Sequence, residues 1–212
     1  MNRYLATCGF SLLAVLTACG GQVNYTPPTT TVAAQNSRTV SASRDQVWNK
    51  LVPALSSQFF VINTIDRSSG LINVSYGGDP EKYVDCGRIR SYVKNLRGER
   101  TYDFPGAQAQ ATYEMMNDNG LFVFNRSMKL EGRVNIVVQD IGPQQTLVTA
   151  STRYVVTRTN VITALAGPGS GNTVNSISLN SGSGDTFPGP PGQATRCVAT
   201  GKLEQDIIAL SD

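Results

Sequence analysis

Two stretches of the chain alternate between apolar and polar residues. Residues 128–139 place apolar side chains on one side and polar ones on the other, and residues 148–156 repeat the pattern. A turn signal at 141–145, which contains Gly142 and Pro143, separates them. A period of two indicates a strand with one buried face. We therefore expect two long antiparallel strands, with Gly132 as the candidate for a β-bulge.

Two other segments have helical spacing. Ser43 and Gln46 form a capping-box pattern ahead of an apolar stripe that includes Trp48 and ends at Leu55. A second apolar face lies within residues 202–210, and strand signals fill residues 59–76. These patterns predict an α+β fold, in which an antiparallel β-sheet is covered on one face by an N-terminal and a C-terminal helix.

Two segments lack a clear period. Residues 20–38 contain two adjacent prolines and no apolar period, so residues 19–38 are expected to form a flexible tether. Residues 167–192 are rich in Gly, Ser, Asn and Pro, and a flexible loop with one short strand is expected there. The folded part is then a single α+β domain over residues 39–212.

The N-terminus has the features of a secretory signal. Arg3 precedes an apolar run at residues 10–16, which is too short to span a bilayer, so residues 1–18 are interpreted as a cleaved signal peptide. Residues 16–19 resemble the bacterial lipobox, which implies that Cys19 becomes the acylated, palmitate-bearing N-terminus. Gly20 rather than Asp follows, and the resemblance to Gram-negative lipoproteins implies that this residue directs the chain to the periplasmic face of the outer membrane. The alternative is an ordinary signal peptide with a chance cysteine.

The remaining cysteines fit an oxidising compartment. Cys8 leaves with the signal peptide and Cys19 carries lipid, so the mature chain keeps Cys86 and Cys197. We expect these two to form a disulfide bond, because thiols tend to pair in the periplasm. Two buried free cysteines or a redox pair are the alternatives.

Composition excludes several chemistries. The 212 residues include no His, which rules out Ser-His-Asp triads and His-ligated metals, and no catalytic residue, metal site or cofactor is predicted. A net charge of +3 is too small to indicate a nucleic-acid binder. A cell-wall hydrolase is a remote alternative, with Glu99 and Asp103, or Asp118 and Glu131, as the carboxylate pair.

Five cations lie within 13 positions of one another. Such a cluster could bind an anionic lipid, a lipopolysaccharide phosphate or an acidic partner, and its binding would then weaken as salt rises. A solvated charge run is the alternative. The residues are Arg88, Arg90, Lys94, Arg97 and Arg100.

The order of helix, antiparallel strands and closing helix, in a lipid-anchored chain, resembles the BamC (NlpB-like) lipoproteins of the outer-membrane β-barrel assembly machinery. The run from Ser43 to Tyr76, with Trp48 and the 69–72 turn-to-strand segment, carries the resemblance together with Cys19. It implies a helix-grip fold. The expected function is a non-enzymatic, protein-binding module in envelope assembly, which contacts the bilayer through acylated Cys19 and an envelope protein. The alternative is a carrier of an apolar ligand or lipid in the helix-grip groove.

Overall fold

The structure, a computed structural model, describes residues 20–29, 35–58, 60–189 and 194–212. Strands account for 63% of these residues and helices for 14%. The strands are β1 (Gly20–Thr26), β2 (Ser37–Val40), β3 (Val61–Asp66), β4 (Leu71–Gly78), β5 (Val84–Asp85), β6 (Arg88–Asn95), β7 (Gly98–Pro105), β8 (Gln110–Asn117), β9 (Gly120–Gly142), β10 (Gln145–Ala166), β11 (Gly171–Asn180), β12 (Gly184–Phe187) and β13 (Thr195–Ala199). The helices are α1 (Arg44–Ser57), α2 (Lys202–Ala209) and a 3-10 turn at Pro80–Lys82.

The central sheet is built on the β9–β10 hairpin. The predicted antiparallel pairing is confirmed, with Val138 opposite Val148, but the strands extend to 23 and 22 residues. β4 pairs with residues 130–137 of β9, and β8 pairs with residues 120–127 on the same edge. β2 and β11 share the outer edge of β10, and β3 pairs with β4. The two ends of the hairpin therefore pair with different strands of the same sheet.

The predicted bulge at Gly132 is wrong. Gly132 lies in regular register between Tyr76 of β4 and Tyr154 of β10. A Cβ atom at Gly132 would lie 3.4 Å from the Leu203 Cδ2 atom of α2. The missing side chain thus gives space to the C-terminal helix.

We call the part of the molecule around the 128–156 segment of the hairpin the tip half. There α1 and α2 pack on the sheet, and the capping box of Ser43 and Gln46 is present as predicted. Trp48 is buried, and Leu51 and Leu55 are fully buried in the main core.

The predicted sheet covered by two helices is wrong, because both helices are confined to this half. A 14-residue helix is about 21 Å long, whereas a 23-residue strand has a contour of about 75 Å. Most of the remaining chain forms strands instead, so the molecule is mainly β, with several antiparallel sheets.

We call the other end the base half; it contains residues 120–127 of β9 and 158–166 of β10. A small antiparallel sheet in the order β1-β6-β7 packs there against β8. The expected tether at 19–38 is therefore wrong for residues 20–26, which form β1, and for residues 37–38, which begin β2. Val23 and Tyr25 point inward at a period of two, and a Cβ at Gly21 would clash with Met116, so only glycine permits this approach.

A third sheet in the order β12-β13-β5 carries the predicted disulfide bond between Cys86 and Cys197, which is confirmed. The expected 167–192 loop is wrong for most of its length, because it contains β11 and β12. Ile177 and Leu179 supply the buried alternation, and Ser and Asn occupy the exposed face. The proposed signal peptide and Cys19 lie outside the described residues. Within those residues, every helix is too short or too polar to cross a membrane.

A candidate binding cavity with two buried arginines

A cavity of about 320 Å³ lies in the base half, between the small sheet and the β8–β11 part of the central sheet. Its volume lies at the lower end of the range for small-molecule sites. Most of the lining is apolar, and this part comes from Val23, Ile89, Tyr113, Met115, Phe124 and Ile162.

Aromatic rings form one wall. The rings of Tyr113 and Phe124 are stacked with centroids 5.2 Å apart, and the Phe104 ring lies 4.9 Å from Tyr113. The hydroxyl of Tyr113 forms no hydrogen bond within the described chain, and burial raises its pKa. This wall thus offers an apolar surface with one hydroxyl donor.

Two arginines interrupt the apolar lining. Arg126 on β9 is opposite Asn160, and Arg158 on β10 is opposite Met128, so the arginines are diagonal neighbours across the hairpin. They are only 3% and 9% exposed. Each guanidinium also faces a ring: the Arg126 Cζ is 5.8 Å from the Phe104 centroid, and the Arg158 Cζ is 4.5 Å from that of Phe187.

Neither arginine has a carboxylate partner among the described residues. Arg126 donates to the carbonyl oxygen of Gly106 and contacts the sulfur of Met128. Arg158 donates to the carbonyl oxygen of Pro188 over 2.8 Å. Arg126 Nε and Nη1 and Arg158 Nε are buried without a hydrogen-bond partner in this part of the chain.

Burial lowers the pKa of both arginines, for Arg126 to about 10, and the neighbouring charge of Arg158 adds to the effect at Arg126. A guanidinium group keeps its proton at neutral pH in proteins. Two like charges in an apolar site are costly unless an anion compensates them. Guanidinium groups bind carboxylate and phosphate oxygens well, so this arrangement suits a ligand with an anionic head and an apolar body.

Tyr25 holds the small sheet against β13 beside the cavity. Its hydroxyl donates to the carbonyl oxygen of Arg196 and accepts from the Arg196 backbone N–H, both over 2.9 Å. Ser91, fully buried on β6, donates to the carbonyl oxygen of Glu114 on β8. These bonds fix two walls of the cavity.

The five predicted cations do not form one patch. Arg88 pairs with Asp103 and Lys94 with Glu99 on the outer face of the small sheet. Arg100 is on the inner face, where it pairs with Glu114 over 2.6 Å. The other two, Arg90 on the outer face and Arg97 in the following turn, form no ion pair within the described residues.

The candidate carboxylate pairs are also separated. Glu99 and Asp103 lie four residues apart on β7, about 13 Å along a strand. Asp118 is in the β8–β9 turn, whereas Glu131 is about 36 Å further along β9. Glycoside hydrolysis uses carboxylates about 5 to 9.5 Å apart, and neither pair has this spacing. Among the described residues, no group of three His, Cys, Asp or Glu could hold a metal ion.

Arg126 and Arg158 are absent from the residues selected by sequence. The usable signal is their register: Phe124, Arg126 and Met128 continue the buried face of β9, and Arg158 does the same for β10. An arginine at an inward position on each of two paired strands marks a buried charged site.

No family model, curated protein or solved structure matches this chain. The comparisons therefore give no support to the BamC-like resemblance, and the part of the chain that the structure describes does not form the helix-grip fold that it implied.

Proposed function

We propose that this chain is a lipid-anchored, non-enzymatic binding protein of the bacterial envelope, whose base-half cavity holds an amphipathic anion. The observation that carries this proposal is the pair of buried arginines, Arg126 and Arg158, without carboxylate partners in the described chain, at the edge of an aromatic cavity. An anionic head near the guanidinium groups would compensate their charge, while its apolar body would contact Tyr113 and Phe124.

The lipobox-like residues before Cys19 support the anchor, and Gly20 after it supports the outer membrane. The disulfide bond between Cys86 and Cys197 is compatible with a periplasmic location, where such bonds persist. The sequence raised a carrier of an apolar ligand as an alternative. The proposal here differs from it in two ways: the ligand lies in the base-half cavity instead of a helix-grip groove, and it carries a negative charge.

Calorimetric titration of the mature Cys19→Ser chain tests the binding without lipid in the assay. Three probes of equal chain length are compared: hexanoate, hexyl phosphate and hexanol. We expect at least one anion to bind about tenfold or more tightly than hexanol, because hydrogen bonds to charged groups contribute about 1.5 to 3 kcal/mol. The two anions distinguish a carboxylate site from a phosphate site.

Arg126→Met removes the charge and keeps much of the side-chain volume, and we expect it to weaken anion binding about tenfold or more. Arg133→Met is the matched control, since Arg133 lies on the exposed face of the same strand. Equal binding of hexanol, absence of binding by both anions, or an equal loss in the control would contradict the proposal.

An edge strand supports a second candidate, the protein-binding module. β3 lies at one edge of the central sheet, and Val61 and Ile65 on it are 64% and 44% exposed. Exposed edges of this kind accept a strand from a partner. A photo-crosslinking residue at Val61 tests this candidate, and the same residue at exposed Ile141 is the control. One discrete adduct at position 61 alone supports a protein partner at β3. The absence of adducts at both positions contradicts it.

A further inference from the structure

The chain leaves the small sheet toward Cys19 beside an exposed turn. Gly20 pairs with Lys94, and β1 is antiparallel to β6. The chain direction from Gly20 toward residue 19 therefore points toward the C-terminal end of β6. Consecutive Cα atoms are 3.8 Å apart, so only one residue and its acylated side chain would separate β1 from the bilayer. An anchor at Cys19 therefore places the residues just after Lys94 at the bilayer.

The turn after Lys94 carries an exposed apolar side chain. We call residues 95–98 the base turn. Leu96 within it is 90% exposed, the highest value among the exposed large apolar residues of the described chain. Arg97 follows it, and its guanidinium forms no ion pair within that part of the chain. A protruding leucine beside a long cationic side chain suits the membrane interface, where the leucine contacts acyl chains and the cation reaches headgroups.

A second apolar residue lies at the same end. Gly21 of β1 is packed against Met116, near the end of β8. Gly120, just after the β8–β9 turn, is packed against Ala166 at the end of β10. Leu165, next to Ala166, is 50% exposed. The end from which the chain leaves toward its anchor thus presents two apolar side chains.

We propose that the base turn is a membrane-docking element, in which Leu96 inserts into the interface of the bilayer that holds acylated Cys19. This inference rests on the proposed acylation and is independent of ligand binding in the cavity. Insertion of the apolar Leu96 side chain depends little on salt. Salt screens the contact of Arg97 with headgroups, whereas Lys94 is already paired with Glu99 over 2.7 Å. The insertion therefore differs from the salt-sensitive binding expected of a five-cation patch.

The experiment uses the full lipoprotein, reconstituted into vesicles of phosphatidylethanolamine and phosphatidylglycerol. Leu96→Cys is labelled with an environment-sensitive nitrobenzoxadiazole probe. Cys86 and Cys197 are fully buried in their disulfide bond, so the new thiol is the reactive one. Ile141→Cys is the matched control, because Ile141 is 47% exposed near the opposite end of the hairpin.

We expect a blue shift and a severalfold rise in emission at position 96 on vesicle binding, with little change at position 141. The signal at position 96 is expected to persist in high salt. A water-exposed label at position 96 on vesicle-bound protein would overturn the docking and leave the anchor intact. Insertion at position 141 instead would also overturn it. A mature terminus without acyl mass would overturn both docking and anchoring, whereas failure of hexanoate and hexyl phosphate to bind the cavity would affect neither.

Discussion

The tip and base halves share the β9–β10 strands but differ in what covers their inner faces. In the tip half, fully buried Leu51, Ile72 and Ile136 form a continuous aliphatic core with two helices. In the base half, a smaller apolar cluster has four buried members among the described residues, and a cavity with two arginines lies beside it. Its members are Ile89, Phe104, Ala111 and Tyr113.

The two halves also differ in how many hydrogen-bond partners their buried ionisable side chains have. Glu204 of α2 is fully buried, and it accepts hydrogen bonds from the hydroxyls of Tyr154 and Ser181 over 2.7 and 2.5 Å. Arg126 is nearly as inaccessible, at 3% exposure, but keeps two nitrogens without partners in the described chain. The buried carboxyl group of the tip half is thus satisfied by neighbouring hydroxyls, whereas the buried guanidinium of the base half is not fully satisfied by the described chain.

The largest expected effect comes from the disulfide bond, which lies where the chain passes from the main core into the small sheet. Replacing Cys86 and Cys197 together by alanine removes a bridge across 111 residues. The free energy of unfolding is expected to fall by about 4 to 5 kcal/mol in the chain-entropy model. Urea unfolding followed by Trp48 fluorescence measures it, and an unchanged midpoint would show that the bridge adds no stability.

A pair of truncations compares packing in the two halves. Leu51→Ala leaves a void in the filled core and is expected to cost about 3 kcal/mol. Met115→Ala enlarges an existing cavity beside a half-buried side chain, so about 1 kcal/mol or less is expected. Equal losses in the same urea assay would remove the distinction between a filled and an open half.

Glu204→Ala leaves the hydroxyls of Tyr154 and Ser181 without their acceptor. We expect a loss of about 2 kcal/mol, because unsatisfied buried polar groups are costly. Glu131→Ala, at an exposed position of β9, is the control and is expected to change stability by about 0.5 kcal/mol or less. A loss at Glu204 no larger than at Glu131 would indicate that the buried carboxylate stabilises nothing.

The smallest expected effect is at Arg126. In the absence of ligand, Arg126→Met is expected to leave thermal stability unchanged or to raise it by about 1 kcal/mol, because it removes a buried charge without a carboxylate partner in the described residues. Thermal melts of the Cys19→Ser chain with and without this change measure it. A loss of about 2 kcal/mol would mean that Arg126 has a structural role.

The tip half could be predicted from sequence because its signals are local. The Ser43 capping box and the alternation through Val138 each correspond to an observed feature. The bond between Cys86 and Cys197 joins distant positions, and its prediction depends on the cysteine count and the oxidising compartment instead. The prediction that two helices cover one face of the sheet was wrong, because the periodicity of α1 does not reveal that the neighbouring strands continue far beyond the helix.

The base half could not be predicted in this way, because its signals depend on distant partners. β1 shows only Val23 and Tyr25 as an apolar period, and its partner strand lies about 70 residues away. In β6, Ile89 and Val93 alternate with cations, and the charge run concealed the strand. Arg126 lies on an inward face that becomes evident only when the register of β9 is extended past Met128.

The length of β9 sets the distance between the two ends of the protein. If the base turn rests on the bilayer, a strand contour of about 75 Å carries the opposite turn well away from the headgroups. In the proposed periplasmic location, the helical end would then be accessible to macromolecules that never approach the lipid. One continuous hairpin would therefore keep the proposed ligand cavity close to the membrane and hold the proposed protein-binding edge, β3, further away from it.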